Sequence, residues 1–163
     1  MIAPGCFFIL IYPVVMYFGL QSYQSAQQRA ALYHKAVPCP AGSESSTSCY
    51  TIEPMTITHK SYGTRRGTPS DFFLKVSDSK GYENEEVPSG FWNSVKAGES
   101  VSAKKWSGMI VTLSSNDQSV DTWASPDHVV SFKRSGLAWA TVFPAIGVLC
   151  LIVAIRRKLA SRV

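Results

Sequence analysis

Three histidines, four cysteines and eleven acidic residues are the groups in this 163-residue chain from which a catalytic or metal site would have to be built. His59 and His128 with Asp71 and Asp127 allow a Ser-His-Asp set to be drawn against the many serines. No G-x-S-x-G elbow is present, however, and a triad is defined by geometry rather than by position in a sequence. Solvated loop hydroxyls account for the serines more simply. Glu83, Glu85 and Glu86 are crowded enough to hold a cation, but they lack EF-hand spacing, its glycine and its position-twelve glutamate. A solvated face that guards a sheet edge is the expectation for them. Gly63, Gly67 and Gly81 are isolated, so no phosphate-cradling loop is expected, and no C-x-x-C-H haem motif occurs. These residues predict a non-enzymatic chain with no catalytic residue, no metal and no cofactor.

Cys39 and Cys49 flank Pro40-Ala41-Gly42-Ser43-Glu44-Ser45-Ser46-Thr47-Ser48, a stretch of turn formers. A disulfide closes easily over such a loop and contributes roughly 2–3 kcal/mol where thiols are not kept reduced. The rival is zinc, which wants four ligands at short spacings. His34, His59 and His128 are scattered, with no C-x-x-C or H-x-x-H, so the disulfide is preferred. Cys6 and Cys150 fall in apolar runs, where cysteine acts as a small hydrophobe.

Those runs dominate the composition, which is 45% hydrophobic against 17% charged. Residues 2–20 and 137–155 are each 19 residues long without a charge. As helices they measure about 28 Å, close to the thickness of a bilayer's hydrocarbon core. Two transmembrane helices are therefore expected, with 21–37 continuing the first helix beyond the membrane, 38–135 forming a disulfide-closed extracytoplasmic β domain, and 156–163 a basic tail. A cleaved signal peptide is the rival for the first run, but it lacks a basic n-region and an A-x-A-like site. Pro13 and Pro144 would kink the two helices.

The net charge of +5 is uneven, because residues 21–135 hold 12 of the basic residues and all 11 acidic ones. Arg156, Arg157, Lys158 and Arg162 supply the rest of the excess and set a cytoplasmic C-terminus by the positive-inside rule. The expectation is an integral protein of a bacterial inner or plasma membrane, both termini cytoplasmic and residues 21–135 outside. A basic stripe suited to nucleic acid is missing from the near-balanced middle. Neither run contains Asp, Glu, Lys or Arg, which argues against an ion pathway.

In the middle segment the apolar period falls to two. Strands are expected from Tyr50 to His59, broken at Pro54, at Phe72–Val76, and at Ser119–Trp123, with Ser61–Pro69 as a loop. Ser107-Gly108 joins a hairpin between Val101–Trp106 and Met109–Leu113, and Phe91–Val95 makes one helical turn. The fold class is thus membrane α + β, two transmembrane helices flanking a small antiparallel sheet or barrel. Phe72, Leu74, Val76, Trp92, Val101, Ile110, Leu113 and Trp123 are its expected core.

Arg65, Arg66, Trp106 and Trp123 are the candidate partner contacts, since Arg and aromatics dominate binding hot spots; for both Trp a core position is the stronger reading. Between Trp92 and Leu113 the order Trp-x-x-Val-x-x-Gly-Glu-x-Val-x-x-x-x-Trp-x-Gly-x-Ile-x-x-Leu resembles the β-domain core of small uncharacterised bacterial membrane proteins with two helices flanking an extracytoplasmic domain. That resemblance implies an architecture and carries over no catalytic residue. The functional expectation is an accessory or interaction protein, a small subunit of a larger membrane complex whose partners are lipids and other membrane proteins. The alternatives are an extracytoplasmic sensor or ligand-binding module and, third, a membrane-bound hydrolase.

Overall fold

The computed structural model describes residues 5–65, 68–79, 81–116 and 118–160, with side chains for all of these except 5–11, 69, 143 and 145–160. In chain order the elements are α1 (Gly5–Lys35), β1 (Val37–Pro38), β2 (Cys49–Arg65), β3 (Thr68–Asp78), β4 (Gly81–Val87), α2 (Ser89–Ser94), β5 (Ser100–Trp106), β6 (Met109–Ser115), β7 (Gln118–Asp121) and α3 (Pro126–Ala160). Two compact units result, Met1–Ala26 with Val130–Val163 and, separately, Gln27–Val129.

The expectation of two membrane spans is corrected here. Among the described residues no helix is long and apolar enough to cross a membrane. The apolar runs are only parts of longer helices. The described side chains of α1 include Gln21, Gln24, Gln27, Gln28, Arg29, His34 and Lys35, and those of α3 include Asp127, His128, Lys133 and Arg134. The membrane α + β class, the integral membrane location and the topology with both termini cytoplasmic and residues 21–135 outside fall with the spans. Arg156, Arg157 and Lys158 lie among residues whose side chains are not described, and Arg162 lies outside the described residues.

In the first unit, Lys133 Nζ of α3 donates to Ser22 Oγ of α1 at 2.7 Å. Leu137 lies close against Gly19, where an added Cβ would meet it at 3.5 Å. Thr141 Oγ1 donates back to the Ala138 carbonyl, the usual resting place for a threonine hydroxyl inside a helix.

The second unit is built on a seven-stranded, mostly antiparallel sheet of order β4-β3-β2-β5-β6-β7, with the short β1 parallel to the start of β2. Strand β2 serves two partners: Tyr50–Thr56 pair with β5 and Thr56–Arg65 with β3. Pro54 does not break it, because at that point only β5 flanks the strand and the missing amide takes no ladder bond from a second neighbour. The expected loop at 61–69 is likewise strand on both sides, paired as far as Arg65 and Thr68.

A bulge between Ile57 and His59 bends β2 where it changes partner. The freed backbone is satisfied by the segment before β5, since Gly98 N donates to the Ile57 carbonyl at 2.7 Å and Ile57 N to the Glu99 carbonyl at 2.9 Å. Gly98 has φ +87°, a conformation that glycine adopts without strain. At the β5–β6 hairpin, Ser107 and Gly108 both take positive φ, 52° and 78°, the type I′ geometry that matches strand twist.

One face of the sheet buries Met55, Ile57, Leu74, Val76, Val87, Val101, Ala103, Ile110 and Leu113, and Phe91 of α2 and Val95 just after it join them. Lys60 holds α2 in place. Its Nζ donates to the Trp92 carbonyl at 2.5 Å and the Val95 carbonyl at 2.6 Å while sitting 4.1 Å from the Trp92 ring centre. The helix's last carbonyls therefore get a cation where their dipole favours one. Outside this cluster, Trp106 is completely buried beside Tyr33 of α1 and beneath the 39–49 loop.

Candidate functional site

The densest group of charges lies on four strands. Lys105 of β5 reaches Asp78 of β3 at 2.9 Å, Glu83 of β4 at 3.0 Å and Glu53 of β2 at 3.4 Å. Strand β4 is three places from β5 in the sheet order, which in a flat sheet means about 14 Å, further than a lysine side chain extends. The sheet is therefore strongly curled around β2, and Lys105 sits inside the curl with its side chain 12% exposed.

Alternation along β4 explains the acids. Glu83, Glu85 and Val87 are opposite Val76, Leu74 and Phe72 of β3, so Glu83 and Glu85 follow the core-facing period while Glu86 falls on the other. The expected solvated edge face is thus two half-buried carboxylates and one on the reverse side. Burial of Glu85, reinforced by the neighbouring charge of Glu83, pushes its carboxyl up to about 7.

Chemistry at this cluster is limited by its charges. Burial alone would lower the pKa of Lys105, but the hydrogen bonds its ammonium donates to Asp78 and Glu83, and their charges, outweigh it and hold the ammonium above its ordinary range. A lysine kept protonated is neither nucleophile nor general base. Among the described residues no group of three His, Cys, Asp or Glu is arranged for a metal. The cluster acts as a structural ion network.

Glu85, which feels the charge of Glu83 at the edge of that network, is itself sensitive to pH. Its pKa is raised in the folded state from an ordinary 4.5 to about 7. Its contribution to stability is therefore fully present below about 4.5 and is lost as pH climbs through about 7. The full linkage amounts to about 3 kcal/mol, which partial exposure reduces to about 2 kcal/mol. Glu85→Gln, a mimic of the protonated form, is expected to match the parent at pH 4 and to exceed it by about 2 kcal/mol at pH 8 in urea unfolding. Parallel stability curves for the two proteins between pH 4 and 8 would refute the assignment.

The residues singled out from sequence are dispersed. Cys39 and Cys49 form a disulfide, and the loop they close lies over Trp106: Thr47 O accepts from Trp106 Nε1 at 3.2 Å, and Ser45 Oγ from Gly108 N at 3.0 Å. Arg65 is exposed at the end of β2, and Arg66 lies outside the described residues. Trp106 presents no surface, whereas Trp123 leaves 46% of its surface exposed.

The Ser-His-Asp set does not come together. Asp127 pairs with His34 at 2.9 Å, Asp71 accepts from the Ser70 hydroxyl at 2.8 Å, and His128 packs against Trp123 with its Nδ1 buried and without a hydrogen-bond partner. Sequence reasoning missed Lys105, Glu53 and Asp78 as a group, since they lie on different strands far apart in the chain. Comparison of the chain with protein-family models, curated proteins and solved structures finds no match.

Proposed function

We propose that the chain is a non-enzymatic interaction protein, a small subunit whose helices α1 and α3 dock on a partner protein. The observation that supports this is the surface of the unit those helices form. Tyr17, Phe18, Phe132 and Trp139 each leave between 60% and 66% of their area exposed, and Val14 and Val15 more than half. A single exposed apolar side chain is ordinary, but a group of this size on one unit is the usual mark of an interaction surface. The Lys133–Ser22 contact and the close approach at Gly19 bring the two helices together, so that the apolar side chains are displayed from a paired scaffold.

A photo-crosslinking residue placed at Phe18 in the full-length chain, expressed in its own cell, tests this. A discrete adduct at Phe18, absent when the same residue replaces Ser102 on β5, is expected. A chain that purifies as a monomer with no adduct at Phe18 overturns the reading.

A further inference from the structure

A cleft in the 27–129 unit holds chemistry that neither the ion network nor the helical surface uses. Phe72 of β3, Glu86 and Pro88 around the end of β4, Asp121 of β7, Trp123 and His128 line it, and it encloses about 260 Å³. Small-molecule sites usually run from about 300 to 1,000 Å³, so this one suits a single side chain.

Its charged residues have one sign. They are Glu86 and Asp121, with Ser70, Ser89 and His128 as the neutral polar residues of the lining; among the described residues the lining includes no Lys or Arg and neither acid is in an ion pair. Asp121 spends Oδ1 on the Thr112 hydroxyl at 3.1 Å, which also fixes its position. The Trp123 ring is half-exposed and lies with its centroid 4.1 Å from that of His128. His128 Nδ1 is buried with no partner, in a setting where buried polar atoms are nearly always paired.

We infer that this cleft binds a cationic side chain, lysine or arginine, presented by a partner polypeptide. An aromatic face attracts a cation, more strongly the more it is desolvated, and a charge-assisted hydrogen bond to a carboxylate adds to it. An anion would meet two like charges. The aliphatic stem of either basic side chain is long enough to cover Phe72 and Pro88 while its charged head reaches the acids. This assignment is independent of the helical docking surface, and either can fail alone.

The test is titration of the ¹⁵N-labelled full-length chain with Ac-Gly-Arg-Gly-NH₂, Ac-Gly-Lys-Gly-NH₂, the citrulline analogue and n-butylammonium. The expected result is that one or both basic peptides shift the indole N–H of Trp123 and the amides of Asp121 and His128. Citrulline, the same shape without the charge, should bind about tenfold more weakly. Glu86→Gln and Asp121→Asn should each weaken the basic peptides by about fivefold with an unchanged thermal midpoint. Equal affinity for citrulline, or no shift at these three residues with either basic peptide, overturns the proposal. Equal affinity for n-butylammonium overturns the polypeptide source and leaves a site for free amines.

Discussion

Replacing Trp106 by alanine is expected to destabilise the 27–129 unit by about 4 kcal/mol, the range for deleting a large aromatic from a filled site. The ring is fully buried, meets the edge of Tyr33 with centroids 5.5 Å apart, and lies 5.8 Å beneath the Arg29 guanidinium. Its removal leaves a cavity between β5, the end of α1 and the 39–49 loop, and strips the Thr47 carbonyl of its donor. Trp106→Phe separates the two effects. It keeps most of the packing and loses only the indole hydrogen bond, so a cost of about 1–2 kcal/mol is expected. Urea unfolding followed by far-ultraviolet circular dichroism reads both. Similar costs for the two variants would mean that the hydrogen bond, not the ring, carries the site. The alanine variant should also expose residues 40–48 to proteolysis while the disulfide stays intact, because the disulfide closes the loop but Trp106 seats it.

The second large effect belongs to Lys105. Lys105→Met removes the cation from among Asp78, Glu83 and Glu53 and leaves half-buried carboxylates facing one another, at an expected cost of about 3 kcal/mol at pH 7. The loss should shrink below about pH 4, where carboxylates take up protons. Adding Asp78→Asn and Glu83→Gln should return much of the stability, since replacing a whole buried ion group is far less costly than breaking it. A triple variant as unstable as Lys105→Met alone would show that the lysine's methylenes, and not its charge, are what the curled sheet requires.

How much of this was legible depended on the range over which each feature is encoded. The Ser107-Gly108 hairpin is written in consecutive residues and the strand around Phe72–Val76 in a short alternation, and both could be read directly; the helical turn expected at 91–95 lies two residues earlier at its start, at Ser89–Ser94. Leu74, Val76, Val101, Ile110 and Leu113 were identifiable as core from their period, while Met55 and Ile57 were obscured by Pro54 and the bulge beside them. The 61–69 stretch read as a loop because its glycines, proline and arginines are poor strand formers, yet pairing between β2 and β3 overrides that preference.

Apolar composition misled most at the ends of the chain. Runs of uncharged residues suggested spans, yet among the described residues no helix is long and apolar enough to cross a membrane, although α1 does run on past residue 20 to Lys35. The two tryptophans looked alike in sequence and separated in the fold, one completely buried and the other half in solvent. Nothing local distinguishes them, since what covers Trp106 comes from α1 and from a loop some sixty residues away. The ion network was invisible for the same reason: its four members come from four strands, and only the curl of the sheet brings them within reach.

Strand β2 is indexed twice along its length. Its first residue is tied covalently to Cys39, and its middle is clipped to the 98–99 turn through both backbone groups of Ile57. The tolerance of the chain to inserted residues should therefore change abruptly at Cys49. A residue added between the cysteines lengthens a loop, at a cost that grows only logarithmically. The same residue added between Tyr50 and Ile57 puts the two marks out of step by one, turns Glu53 and Met55 to the opposite face and carries Glu53 away from Lys105. The disulfide between cysteines ten residues apart and the bulge thus act together as a ruler that fixes the length of β2 between them.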